Sequence, residues 1–186
     1  MDFATKHVRG LTYEQFLAAH GTDEQRRRWQ AVYDLVRLSD AQRQLLASFG
    51  RQMPILCVAG AWCGDCVDQC PIFAHFAQAC PRIDLRFFDR DAHGDLADAV
   101  SICGGQRVPT VVFLSEDGYE VARYGDRTLA KYRRMAADQL GPSCSTGLAP
   151  AADELIAAVV EEWLGQFERA QLILRTSARL REKHGD

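Results

Sequence analysis

One stretch limits the fold more than any other. Ile55-Leu56-Cys57-Val58-Ala59 is a short unbroken apolar run between Pro54 and Gly60. Such a run suits a strand buried on both faces, as in the middle of a sheet covered by helices on both sides. It leads directly into Ala61-Trp62-Cys63-Gly64-Asp65-Cys66, and then into a helical pattern carried by Val67, Ile72, Phe73, Phe76 and Ala77 to about Ala79. The two cysteines of this C-x-x-C therefore sit at a strand-to-helix junction, close enough to join in a disulfide within one helical turn. Unpaired N–H groups and the positive end of the helix dipole favour a thiolate there. Pro71 lies inside the helical pattern, where a missing N–H predicts a kink.

The rest of the chain reads as elements around that junction. Before it, Thr12 with Gln15, Thr22 with Gln25 and Ser39 with Gln42 mark three helix starts as capping boxes. Gly21 ends the first of these helices and Gly50 the third. After it come a strand over 83–88, a helix over about 93–102 and a strand over 110–114. Glu116-Asp117-Gly118 turns the chain into a strand over 119–124, and a helix from about Thr128 to Leu140 follows. Residues 141–150 read as a linker. A long helix is expected from Asp153 to about Lys183, with Leu155, Val159, Trp163, Phe167, Ala170 and Leu174 as its apolar stripe. The expected organisation is a helical extension over 1–50, a β-α-β-α-β-β-α unit over 51–140, and a linker and helix over 141–186 that pack on the N-terminal helices within one compact domain. The fold class is α/β, with three layers around a central mixed sheet.

Composition narrows the function. A hydrophobic share of 47% with 25% charged residues is that of an ordinary folded domain. A net charge of -3 argues against nucleic acid or an anionic membrane surface as partner. The Arg26-Arg27-Arg28 triplet and the basic C-terminal end read as solvated faces. No run approaches the ~18 to 20 apolar residues of a membrane span. The start of the chain carries no signal-peptide pattern, which makes a cytoplasmic location the expectation. The 7 cysteines are odd in number and do not suggest a secreted disulfide framework. In a reducing compartment a C-x-x-C is catalytic or metal-binding more often than structural. Cys63, Cys66 and Cys70 supply three sulfur ligands, but no fourth ligand for structural zinc is visible, so no metal is expected.

Trp62-Cys63-Gly64-Asp65-Cys66 after a buried strand, with Arg107-Val108-Pro109-Thr110 opening a later strand, resembles the thioredoxin superfamily over about residues 54–140. The resemblance implies a thioredoxin-like fold, with the N-terminal helices and the long C-terminal helix as additions and with the first strand replaced by helix. It implies a thiol-disulfide oxidoreductase in which Cys63 attacks a protein disulfide and Cys66 resolves the mixed disulfide. Trp62 would cover the pair. Val108, ahead of a cis Pro109, would pair with the substrate backbone. Arg107 near Cys63 would favour the thiolate or select acidic partners. No bound cofactor is implied, only protein disulfide substrates and a dithiol electron donor. The alternatives are a disulfide oxidase or isomerase, or a redox-sensing interaction module without turnover.

Two departures stand out. The family's buried acid, six residues before the first cysteine, is replaced by Cys57, and the lysine paired with it is absent. Asp65 stands where thioredoxins have proline. Its charge opposes a Cys63 thiolate yet suits the helix dipole, and it is a candidate for proton transfer. Cys70 and Cys103 are candidate auxiliary thiols, able to pair with each other, and Cys70 alternatively with the active-site disulfide. Cys80 and Cys144 read as incidental, and His75 and His93 as surface residues.

Overall fold

The structure, a computed structural model, describes residues 1–140 and 154–185. Its centre is a four-stranded sheet of β1 (Met53–Ala59), β2 (Ile83–Asp89), β3 (Thr110–Leu114) and β4 (Glu120–Gly125), in the order β2-β1-β3-β4. β1 and β2 are parallel, while β3 runs antiparallel to both β1 and β4. The fully buried strand expected at 55–59 is therefore flanked on both sides, as is β3.

Side chains alternate across this sheet and sort the helices into two layers. Ile55, Cys57, Phe87 and Phe113 share one face by register. On that face α5 (Gly64–Ala79) brings Phe73 and Phe76, and α8 (Leu155–Thr176) brings Trp163 and Phe167. Phe167 sits edge-on to both Phe76 and Phe113, with ring centroids 5.1 Å apart in each pair. Such ring pairs contribute about 0.5–1.5 kcal/mol each beyond their buried area. On the opposite face Phe88 meets the ring of His93, which leads into α6 (Gly94–Ala99), and Arg123 lies over Phe3 of α1 (Phe3–His7). Lys6 of α1 pairs with Asp95 of α6 at 2.7 Å.

The N-terminal helices follow their caps. α2 (Tyr13–His20), α3 (Asp23–Leu35) and α4 (Asp40–Ala47) each begin with a complete capping box on Thr12, Thr22 and Ser39. α1 was not expected; its signal is Asp2, which accepts the Thr5 N–H. In place of the family's first strand, Leu11 exchanges two backbone hydrogen bonds with Phe87, which covers the outer edge of β2.

Several boundaries differ from expectation. The helix expected over 93–102 stops at Ala99, because Cys103 and Gly104 take positive φ angles of 51° and 72° and turn the chain back between Ile102 and Gly105. The helix expected to run unbroken to Lys183 is two helices, α8 and α9 (Ala178–His184). The break lies where Thr176 bonds back to the Leu172 carbonyl and Ser177 caps the next helix by accepting the Leu180 N–H. Its expected start at Asp153, the linker and Cys144 lie outside the described residues. α5 continues through Pro71. α7 (Leu129–Leu140) closes the unit, and α8 contacts α7, β4, α5 and α4.

Candidate active site

The loop between β1 and α5 is held from three sides. Cys63 N–H bonds to the Gly60 carbonyl, which folds Ala61 and Trp62 into a turn, and Cys63 is the N-cap of α5. Gly60 is needed here, because a Cβ would stand 2.6 Å from the Trp62 ring. From α3, buried Trp29 donates its indole N–H to the Ala61 carbonyl at 2.9 Å. One turn into α5, fully buried Gln69 donates to the carbonyls of Asp65 and Asp126, and accepts the indole N–H of Trp163 from α8 at 2.8 Å. Helices from both ends of the chain thus anchor the dithiol segment. Neither anchor was anticipated from the sequence; the only hint is a tryptophan on each apolar stripe with an N–H to satisfy.

Cys63 and Cys66 are free thiols. Cys63 is 9% exposed and Cys66 is fully buried, so an incoming group reaches Cys63 first. The Cys63 thiol lies 3.6 Å from the Val108 carbonyl, and the Val108–Pro109 peptide beside it is cis. Cys66 Sγ accepts the Gly60 N–H at 3.5 Å. Burial alone would push the Cys66 thiol up, but hydrogen bonds from Cys63, Cys70 and the Gly60 N–H outweigh it and lower it to about 5. The Cys63 thiol is held up, first by its hydrogen bond to Cys66 and then by burial. The pair therefore gives up one proton readily and keeps the other, and the donors gather the charge on the inner sulfur.

The remaining candidates lie around this pair. Trp62 is 44% exposed, with the Arg90 guanidinium 4.4 Å above its ring. Arg107 pairs with the buried carboxylate of Asp126 at 3.1 Å. Asp126 also accepts the Tyr132 hydroxyl and meets Arg127 at 3.5 Å. Burial opposes its charge, and the Tyr132 and Arg107 bonds overcome that and hold its carboxyl below the usual range. Asp126 was missed in the sequence, since no motif marks it. It reaches the site because Gly125 lets β4 pass close to the Pro109 carbonyl, where a Cβ would stand 2.6 Å away. Asp65 is held between Arg127 at 2.6 Å and Lys131 at 2.9 Å.

Cys70 and Cys103 are not partners. Cys70 is fully buried with its sulfur 4.0 Å from that of Cys57, while Cys103 is exposed in its turn. The two histidines read as surface residues are half-buried: His75 stacks on Tyr33, and His93 meets Phe88 edge-on.

A dithiol at a helix mouth, facing a cis-proline loop on a four-stranded mixed sheet with helices on both faces, is the arrangement of a thioredoxin-like protein. The family model described as thioredoxin matches residues 10–138, and the chain belongs to that family. Among solved structures it is similar to a protein of unknown function from Pseudomonas aeruginosa, at 20% identity and a TM-score of 0.65, over 89% of this chain and 99% of that one. It is also similar to an HIV epitope-scaffold, at 17% identity and a TM-score of 0.62, over 94% of this chain and 95% of that one. Likeness at these identities extends to the fold alone. No curated protein matches the chain. No helix among the described residues is long and apolar enough to cross a membrane.

Proposed function

We propose that the protein is a thiol-disulfide oxidoreductase that reduces disulfides in protein substrates, taking its electrons from an external dithiol. One observation carries this reading: of the two cysteines at the mouth of α5 only Cys63 keeps any exposed surface, and its sulfur lies against the Val108 carbonyl, with buried Cys66 one turn behind it. The pair shares a proton. Its transfer from Cys63 to Cys66 delivers the thiolate to the outer sulfur, which attacks one sulfur of the substrate disulfide and expels the other as thiolate. That leaving thiolate takes the proton back from Cys66. Cys66 then attacks the Cys63 sulfur, forms the Cys63–Cys66 disulfide and releases the second substrate sulfur as a thiolate, which takes its proton from solvent.

This route needs no buried acid. The Gly60 N–H and the Cys70 thiol remain as donors to Cys66 after Cys63 is engaged and stabilise its thiolate, whereas the family uses a carboxylate to help take the proton from that thiol. The exposed Trp62 indole with Arg90 above it offers an apolar and cationic platform to a protein chain. Turbidity from insulin disulfide reduction, with dithiothreitol as donor, tests the proposal. Wild type is expected to turn over and Cys63→Ser to fall to background; full turnover by Cys63→Ser would sink the catalytic reading. A reduction potential for the Cys63/Cys66 couple near the ~-270 mV of reducing dithiols supports a reductase, whereas one near ~-120 mV would make it an oxidase.

A further inference from the structure

We propose that Cys57 and Cys70 form a second, buried dithiol beneath the Cys63/Cys66 pair and exchange disulfide with it, so that one chain can take up two disulfides in succession. This rests on the redox role proposed for Cys63 and Cys66. Cys57 on β1 points to the face covered by α5, where its sulfur lies 4.0 Å from Cys70 Sγ. Cys70 stands one turn beyond Cys66 on α5, and Cys66 one turn inside Cys63, which opens that helix. The four cysteines are therefore ordered from Cys63 at the mouth of α5, through Cys66 and Cys70 on successive turns, to Cys57 on the central strand.

The steps ask for small local shifts. Cys66 and Cys70 stand one helical turn apart, with Cα atoms about 6 Å apart, inside the ~4.4–6.8 Å a disulfide spans, but their Cβ atoms must close from about 5–6 Å to about 4.5 Å, so this transient link requires α5 to give by about 1 Å at that turn. Cys57 and Cys70 sulfurs must close to about 2.05 Å, which requires a shift of about 2 Å by side chains at a strand-helix contact. Three neighbouring thiols are also more than a core of this kind needs, since alanine or valine would fill the space without reactive sulfur. Among the described residues no three or more His, Cys, Asp or Glu side chains, these thiols included, are grouped so as to hold a metal ion.

The exchange balances without any added reactant. Starting from the Cys63–Cys66 disulfide, the Cys70 sulfur attacks that of Cys66. The Cys66–Cys70 bond forms, the Cys63–Cys66 bond breaks, and the Cys70 proton ends on Cys63. Cys57 then attacks Cys70, releasing Cys66 as a thiol and leaving the Cys57–Cys70 disulfide. Two electrons have moved outward from the buried pair, and the outer dithiol is ready for a second substrate disulfide. Burial holds the Cys57 and Cys70 thiols up, so this inner exchange is slower than the chemistry at the mouth.

The test is stepwise oxidation of the reduced full chain with glutathione disulfide, followed by an acid quench, alkylation and cleavage before aspartate. Cuts at Asp65 and Asp68 isolate Cys66 on the fragment Asp65-Cys66-Val67, apart from Cys57 and Cys63 on one side and Cys70 on the other. Tandem fragmentation separates Cys57 from Cys63 and Cys70 from Cys80. The first equivalent is expected to join Cys63 to Cys66, and the second to join Cys57 to Cys70. In Cys63→Ser the inner link should form at least tenfold more slowly, because its entry point is gone, and Cys57→Ala should stop uptake at one equivalent. A Cys63–Cys66 disulfide with Cys57 and Cys70 still fully alkylated after the second equivalent overturns this inference alone. Failure of both disulfides to form overturns the proposed function as well.

Discussion

The two ends of the dithiol sit in opposite surroundings. At the rim, Asp65, Arg127, Lys131, Asp126 and Arg107 form a chain of ion pairs in which each carboxylate meets two cations. At the floor the groups that lower Cys66 are the Gly60 N–H and the thiols of Cys63 and Cys70. The rim's charges largely cancel one another and are partly exposed to solvent, so they act weakly on the sulfurs. The floor donors are few, but they act in a dry site, where a hydrogen bond to a charged group is stronger. The difference puts the hydrogen-bond donors to the dithiol's charge beneath it, and the position of the family's buried acid is filled by the sulfur of Cys57, which faces Cys70.

The largest expected effect comes from removing the resolving sulfur. Cys66→Ser leaves Cys63 able to attack but unable to be released, so a substrate-linked mixed disulfide should accumulate to near stoichiometry with loss of multiple turnover. Non-reducing electrophoresis reads the adduct, and dithiothreitol should dissolve it. Turnover without an adduct would remove Cys66 from the proposed mechanism.

The next effect separates floor from rim by pH. In the folded reduced chain Cys66 titrates at about 5, below its ordinary value of 9.0. Between those values the unfolded chain holds the extra proton, so the reduced fold gains stability as pH rises through this window and loses it as pH falls through about 5. Cys63, held above its ordinary value, has the opposite effect on the alkaline side. Cys63→Ala removes one donor to the Cys66 thiolate. Its midpoint, followed by thiolate absorbance at about 240 nm, should move upward, and the stabilising window should narrow with it. An unmoved midpoint would show that Cys70 and Gly60 suffice.

How far the sequence reveals this site depends on the range of each interaction. The capping boxes on Thr12, Thr22 and Ser39 are legible because both partners lie three residues apart. The strand over 110–114 is legible because all five of its residues are apolar or β-branched, as a strand buried on both faces requires. The Ser177 break is missed because the apolar period of α8 continues past it, while the competing side-chain bonds are only local. Trp29 to Ala61, Trp163 to Gln69 and Gln69 to Asp126 span 32, 94 and 57 residues, and no local pattern encodes such pairs. Cys57 is visible in the sequence as a missing acid. That it faces Cys70 follows only from the pleat of β1 and the rotation of α5 above it.

The smallest expected effect concerns the rim itself. Asp65 stands two residues from Cys63, and its negative charge raises both sulfurs. Arg127 and Lys131 counter it at 2.6 and 2.9 Å, with side chains only 27% and 10% exposed. Arg127→Ala takes away one of the two cations and frees part of the Asp65 field. The first thiolate midpoint should therefore rise, by less than about one pH unit given the usual worth of partly exposed ion pairs. Salt should reduce that rise only in part, because the freed Asp65 side chain is 18% exposed. The shift from Cys63→Ala should persist in salt, since a hydrogen bond donated within the buried floor is not screened. If Arg127→Ala moved the midpoint as far as Cys63→Ala, and did so in high salt, the rim would govern the dithiol after all.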